Sequence, residues 1–171
     1  MKRSSGSAVE LSQMSLPPMK ARLYCMSLDV AQLMKMSQAQ IDELFRISPS
    51  GNIPRGEAEG TAIIDPGTEL SDIAAKFVHI FVWRGKVFDP DTGQLRNAIL
   101  PLGVKAIIAK VYKDKSWFDD KECIVLDYTQ TSLIAHWIRD EIREVTPGLY
   151  LGIVYWDKAK LINFALAFPK I

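Results

Sequence analysis

The sequence predicts an α+β fold in which a small antiparallel β-barrel follows one or two N-terminal helices. Three observations predict it. The segments after residue 85 are short and rich in β-branched and aromatic residues, and Gly, Pro and Asp turns separate them. The clearest helical spacing lies before residue 82. Long helices do not alternate with the strand segments, so a parallel sheet is disfavoured.

The N-terminal segment and the rest of the chain differ in character. Residues 1–27 are rich in Ser, Met and Pro, and Pro17-Pro18 is incompatible with a helix interior. We therefore expect 1–27 to be a flexible arm. The remaining residues, 28–171, are expected to form a single barrel domain that includes the N-terminal helices, because their number is sufficient for a hydrophobic core.

Composition narrows the class of protein. The formal net charge is +1, from 21 basic and 20 acidic side chains, which disfavours a dedicated nucleic-acid-binding protein. Apolar runs are too short for a membrane span, and Lys2 and Arg3 are not followed by the apolar stretch of a secretory signal. We expect a cytoplasmic protein. With Cys25 and Cys123 far apart and only 2 histidines, neither a metal site nor a cofactor is expected.

Two segments carry helical patterns. In "MSQAQIDELFRIS", Ser37 and Gln40 have the spacing of a capping box, and an apolar face follows at Ile41, Leu44 and Phe45. "ELSDIAAKFVHIF", residues 69–81, also has apolar residues at helical spacing. We predict a helix in each segment.

The strand segments begin with "RGEAEGTAII", which has Gly56 and Gly60 and ends in Ala62, Ile63 and Ile64. Later segments are separated by turn residues such as Pro147-Gly148 and Asp157-Lys158. The predicted later strands lie in "GKVF", "LRNAIL", "KAIIAKVY", "KECIVLDY", "GLYLGIVYW" and "KLINFALAF". In "GLYLGIVYW" both alternating faces are apolar, so this strand is expected to be covered on both sides or to line a cavity on one, with Gly152 at a close approach or a bend.

"TSLIAHWIRDEIREV" fits helical and strand spacing alike. We predict a helical turn over 129–133 and then a strand to Val145, because the segment runs into Pro147-Gly148 as one arm of a hairpin. One side of a barrel strand faces inward. The sequence leaves two candidate inward sets open: Trp137, Arg139, Glu141 and Arg143, or His136, Ile138, Asp140 and Ile142.

The order of these motifs resembles a known family. A G-x-x-x-G strand is followed by a helix leading into "WRGKVF", and then by "LRNAILPLG", a "DY" strand, alternating charges and "GLYLG". This layout, over about residues 53–168, is similar to the small bacterial barrels called GXWXG and the associated domain of unknown function. The resemblance implies a lipocalin-like, or calycin-like, closed sheet. The aromatic residue that the family has between its glycines is absent from "RGEAEG".

Several residues could line a ligand pocket in such a barrel. The segment Trp83–Phe88 could be its lip, with Lys86 as an anchor for an anion, or it could be ordinary packing around a tight corner at Gly85. Our hypothesis is non-catalytic binding of a small hydrophobic or amphipathic molecule, including one that bears a carboxylate. The residues expected to bind it are Trp83, Trp137, Tyr150 and Tyr155 as wall and Lys86 and Arg139 as charge.

Two other functions stay open. One is a small isomerase or hydrolase that uses His136 with Asp127 or Glu141 in the same cavity, with Asp127-Tyr128 as a proton-transfer pair if burial raises the pKa of the aspartate. The other is a protein-interaction module in which the N-terminal arm and the helix over 38–46 dock a partner. The sequence also leaves a homodimer open.

Overall fold

The computed structural model describes residues 28–64, 86–97, 107–129 and 137–169. Within these ranges there are two helices and eight strands. The helices are α1 (Val30–Leu33) and α2 (Gln38–Ile47). The strands are β1 (Gly56–Ile63), β2 (Lys86–Asp89), β3 (Gln94–Asn97), β4 (Ile107–Lys115), β5 (Glu122–Asp127), β6 (Ile138–Thr146), β7 (Leu149–Trp156) and β8 (Ala159–Ala167).

The strands form a closed barrel. Each strand pairs antiparallel with the next one along the chain, and β8 pairs with β1, so that the sheet has no open edge. The predicted antiparallel barrel is confirmed, and the described part of the chain is mostly β. The segment over 138–146 is a strand, as expected, and it forms a hairpin with β7.

The tight connections follow the predicted turn residues. Asp157 and Lys158 have positive φ angles of 44° and 68° and join β7 to β8. This conformation matches the right-handed twist of a two-residue hairpin. Between β6 and β7, Gly148 has a φ of 77°, which glycine adopts without steric cost. Local sequence therefore sets both hairpin turns.

The two helices cover the outside of the barrel. Ser37 caps α2 with the predicted capping box, because its side chain accepts from the Gln40 amide and the Gln40 side chain accepts from the Ser37 amide. The apolar face of α2 is buried in an outer core with strand residues from β1, β7 and β8. The helices thus pack on the barrel wall. The main members of this outer core are Leu33, Ile41, Leu44, Phe45, Ile63, Leu149, Leu151, Ile153, Tyr155 and Ala165.

A second hydrophobic core lies in the barrel interior and includes residues from all eight strands. On β1 the inward positions carry only small residues, at Gly56, Ala58, Gly60 and Ala62. Larger side chains from the other strands face them. The buried hydrophobic members are Ala58, Phe88, Leu95, Ala109, Val111, Ile124, Leu126, Tyr128, Ile138, Ile142, Tyr150, Val154, Ile162, Phe164 and Leu166.

Strand β7 is covered on both sides, as its two apolar faces predicted. Leu151 and Ile153 lie in the outer core, whereas Tyr150 and Val154 lie in the interior. At the inward position between them, a Cβ on Gly152 would lie 2.3 Å from the ring of Phe164. Of the close approach and the bend that the sequence left open, the structure shows the close approach, because any side chain there would collide with a buried ring.

Some predicted elements lie outside the described residues. These are the arm over 1–27, the helix over 69–81 and the helical turn from 130 onward. Within the residues described, neither helix has the length and apolar character needed to cross a membrane.

Candidate functional site

Strand β6 places the second of the two candidate sets inside the barrel. Ile138 and Ile142 belong to the interior core, and Asp140 between them is fully buried. Because side chains alternate along a strand, Arg139, Glu141 and Arg143 face outward. The expectation that Arg139 lines the interior is thus corrected. Two inward isoleucines bury more apolar surface than an Arg-Glu-Arg set could.

The outward residues of β6 are paired with one another and with neighbouring segments. Nε of Arg139 donates to Oε1 of Glu141 at 2.9 Å, and its guanidinium lies 4.5 Å from the ring centroid of Trp117. Glu141 also accepts from the Trp117 amide at 2.9 Å and from the hydroxyl of Ser116. These bonds satisfy the buried carboxylate, so the pair acts structurally, holding the β4–β5 connection against the barrel.

Arg143 joins three parts of the fold although its side chain is fully buried. Its guanidinium donates to both carboxylate oxygens of Asp119, at 2.8 and 2.6 Å. It also donates to the carbonyl oxygens of Phe45 in α2, Lys121 and Glu122. A two-pronged Arg–carboxylate contact of this kind is directional and charge-assisted. It connects α2 to the β4–β5 connection and to β6.

The Asp119–Arg143 pair predicts a loss of stability in acid. The hydrogen bond from Arg143 holds the pKa of Asp119 below its ordinary value of 3.8. A carboxyl group whose pKa is lowered by folding stabilises the protein fully at pH values above its ordinary, unfolded-state pKa. This stabilisation is lost as the pH falls from there through the folded-state pKa. We expect the free energy of unfolding, measured by urea titration, to fall below about pH 4. The Asp119→Asn variant should be less stable than the wild type at pH 7, and its free energy of unfolding should fall less steeply below about pH 4. An equally steep fall in the variant would contradict this prediction.

Inside the barrel, a lysine, a tyrosine and an aspartate form a buried polar cluster. Nζ of Lys86 donates to Oδ2 of Asp140 at 2.9 Å and to the hydroxyl of Tyr128 at 2.8 Å. The Tyr128 hydroxyl in turn donates to Oδ2 of Asp140 at 3.1 Å. The side chains of Lys86 and Asp140 are 4% and 0% exposed. Their surroundings are apolar, and Nζ lies 5.3 Å from the ring centroid of Phe164. We call these three residues the interior polar cluster.

The register of strand pairing places Lys86 inward, although hydrophobicity alone would place its apolar neighbour there. Lys86 is buried, while the next residue, Val87, is exposed. The register pairs Lys86 with Ala58 and Phe88 with Gly56, so a shift by one residue would turn Phe88 outward. Burying the aromatic ring therefore brings the lysine inside.

Burial and pairing shift the pKa values of the ion pair. Burial alone would lower the pKa of Lys86, but the negative charge of Asp140 and the contact with Tyr128 outweigh it, so this pKa is raised. Burial raises the pKa of Asp140, and the attraction of Lys86 offsets only part of that effect. The carboxylate thus keeps a desolvation cost that the lysine does not cancel.

One atom of the cluster has no hydrogen-bond partner in the described part of the chain. Within the described residues, Oδ1 of Asp140 is buried and has no hydrogen bond. Lys86 begins β2, Tyr128 directly follows β5, and Asp140 lies near the start of β6, so the cluster lies toward one end of the barrel. A buried carboxylate oxygen with no partner is costly. It marks a place where a ligand or an ordered water would complete the hydrogen bonding.

The predicted wall residues have separate locations. Tyr150 lies in the interior core, where its hydroxyl donates to the carbonyl oxygen of Asn52, and burial with nearby Glu144 raises its pKa to about 12. Tyr155 belongs to the outer core and packs edge-on to Trp117. Trp137 is 51% exposed. Tyr150 and Lys86 are therefore the described members of the predicted set that line the interior.

Of the remaining predicted residues, the two that the structure describes face away from the interior. Trp83 and His136 lie outside the described residues. Asp127 and Glu141 lie on outward positions of β5 and β6. Although burial opposes it, hydrogen bonds from Thr129 and Tyr112 lower the pKa of Asp127. The raised pKa on which the proton-transfer role of Asp127-Tyr128 depended is therefore not found.

Sequence reasoning did not assign Tyr128 or Asp140 to the ligand site. A signal for Asp140 was nonetheless available, because it is an acid between two isoleucines on the apolar face of an alternating strand. Buried acids of this kind require a partner. Lys86 alternates with Phe88 in the same way on β2. No local signal connects these two residues, which are far apart in the chain.

The described residues do not bring three or more His, Cys, Asp or Glu side chains together as a metal site.

No family model matches the chain, and no curated protein matches it. Among solved structures, a protein from Thermomonospora curvata superposes with a TM-score of 0.61. The match covers 88% of this chain and 98% of that chain at 14% sequence identity. At this identity the similarity supports the fold alone, which is the closed antiparallel barrel.

Proposed function

We propose that this protein binds a small hydrophobic or amphipathic molecule inside its barrel and does not transform it. The observation that carries the proposal is the interior polar cluster, in which one buried carboxylate oxygen lacks a partner among the described residues and the surrounding side chains are apolar. Small-molecule sites commonly combine apolar walls with a few placed polar groups. The cluster would hold the polar part of the ligand.

The energetic cost of the cluster supports a functional role. Removing two charged groups from water costs several kcal/mol per ion, and well-packed apolar residues often replace such a pair without loss of stability. The barrel interior already contains aliphatic and aromatic residues from every strand. A lysine and an aspartate are therefore not needed to fill it, and ligand recognition explains their presence.

The apolar part of the ligand would lie against β1. Its inward face presents only glycine and alanine, and Ala58 is paired with Lys86 across the β1–β2 ladder. On this wall a ligand would use the room that larger side chains would otherwise occupy. A molecule lying there would have its polar group near Lys86 and its body against Ala58 and Ala62.

The finer family assignment remains part of this proposal. The layout of the motifs resembles GXWXG barrels and their associated domain, and the resemblance implies a lipocalin-like closed sheet. The closed barrel of eight strands is compatible with that assignment. We therefore retain this resemblance as the proposed family assignment.

The other two functions have less support. Asp127 and Glu141 lie outside the barrel interior, so they do not share a cavity with the interior polar cluster. The apolar face of α2 is buried against the chain's own barrel, so it is not free to dock a partner. Binding inside the barrel is the function that the geometry supports best.

Native mass spectrometry of the gently purified full chain tests the proposal. We expect a retained apolar molecule in the wild-type protein. Ala58→Leu, which enlarges an inward side chain beside Lys86, should reduce occupancy roughly tenfold, since overpacking a fitted site costs about 1–3 kcal/mol.

Glu57→Leu provides the matched control, because Glu57 is the outward neighbour of Ala58 and is exposed. It should retain the molecule like the wild type. Thermal unfolding should first confirm that both variants are folded. A wild-type mass without any retained molecule, or equal occupancy in both variants, would refute binding inside the barrel.

A further inference from the structure

The interior polar cluster defines what kind of polar group the ligand carries. Lys86 and Asp140 are both buried, and they carry opposite formal charges at a separation of 2.9 Å. The Tyr128 hydroxyl is bonded to both and adds no formal charge. The cluster therefore has no net charge to offer to an ionic ligand.

A carboxylate would meet an unfavourable surrounding here. It would approach an ammonium already paired with Asp140, and it would place a second negative charge beside that aspartate. Like charges brought together away from water cost several kcal/mol. A ligand ammonium would meet the same penalty from Lys86.

A hydroxyl group can bond to both remaining polar atoms of the cluster, as donor to Asp140 and as acceptor from Lys86. Oδ1 of Asp140 is an acceptor with no partner among the described residues, and a hydroxyl is a donor. An ammonium has three protons, of which the contacts from Lys86 to Asp140 and Tyr128 use two. Because both carboxylate oxygens share one carbon, an oxygen bonded to Oδ1 can also reach the lysine.

We infer that the barrel interior selects an apolar molecule bearing a neutral hydroxyl group, which donates to Asp140 and accepts from Lys86. This inference rests on the proposed function and narrows it, because the sequence alone left a carboxylate-bearing ligand open. The apolar body contributes affinity, and the interior polar cluster contributes the choice of head group.

Three probes with the same chain and different head groups test the inference. At neutral pH we would measure the binding of 1-octanol, octanoate and octylamine to the full chain, freed of retained molecules, by titration calorimetry. The wild-type protein should bind 1-octanol roughly tenfold or more tightly than either charged probe. Equal affinities, tighter binding of octanoate, or binding of none of the three would overturn the inference.

Asp140→Asn provides a sharper test, because it leaves the ammonium of Lys86 without a buried counter-ion. The preference should then invert, with octanoate bound roughly tenfold more tightly than 1-octanol. The matched control is Asp127→Asn on the outer face, which should keep the wild-type preference for 1-octanol over octanoate and octylamine. An Asp140→Asn protein that still prefers the alcohol would refute the role of the carboxylate. If the variant does not fold, the relative affinities of the wild-type protein for the three probes decide the inference.

Failure of the head-group preference is distinguishable from failure of ligand binding. Equal binding of the three probes, with a molecule retained in native mass spectrometry and lost on Ala58→Leu, would refute the hydroxyl preference and leave the proposed function standing. An ordered water fixed on Oδ1 would give that same result, because the alcohol would then gain no hydrogen bond. If no molecule is retained either, both fail.

Discussion

Replacing Arg143 with methionine should lower the free energy of unfolding by about 3–5 kcal/mol, because it removes the fully buried partner of an ion pair and leaves the largely buried Asp119 with its longer contacts to Lys121. Asp119 would lose both of its hydrogen bonds from Arg143. The carbonyl oxygens of Phe45 and Lys121 would each lose a donor as well. Methionine keeps most of the length of the side chain, so the loss would report the polar contacts.

Urea denaturation followed by tryptophan fluorescence would measure this change at pH 7. Arg96→Met is the matched control, because Arg96 is an exposed residue on β3; it should shift stability by less than about 0.5 kcal/mol. A loss below about 1 kcal/mol for Arg143→Met would mean that Arg143 contributes no more than a surface pair.

The second large effect concerns the interior polar cluster. Lys86→Met should cost about 3–5 kcal/mol, since it leaves the carboxylate of Asp140 buried without its counter-ion. Adding Asp140→Leu should recover most of that loss, because an apolar pair of similar volume has no charge to desolvate. The double variant should be folded and nearly as stable as the wild type.

The same urea titration decides between a structural and a functional role for the pair. Lys35→Met, at an exposed residue between α1 and α2, is the control for the loss of a lysine. A double variant as unstable as Lys86→Met alone would show that the fold requires the ion pair. A stable double variant that retains no ligand would support the functional role.

Much of the fold follows from local patterns. The Ser37 capping box, the turn at Asp157-Lys158 and the two apolar faces of β7 were each predicted and confirmed. Each depends on residues within a few positions of one another, where spacing alone defines the structure. The alternation over 138–146 likewise predicted a strand in a segment that also fitted a helix.

Local patterns predicted the residues of the candidate site less well than the fold. Lys86 and Tyr150 were predicted and do face the interior, whereas Arg139 and Tyr155 were predicted and face outward. Period-two alternation divides a strand into two faces but does not say which face points inward. Arg143 was placed in a candidate inward set for this reason, although its partners are on α2 and the β4–β5 connection.

By itself, the sequence determined that this chain forms short antiparallel strands with defined turns, preceded by a capped helix. Only the tertiary structure decided that β8 closes on β1, that α2 covers the outer wall, and that Lys86 meets Asp140 across the barrel. The physical reason is the range of the interactions. Turns and caps depend on bonds between near neighbours, whereas the pairing of two buried charges depends on strand register and barrel closure, which no local segment specifies.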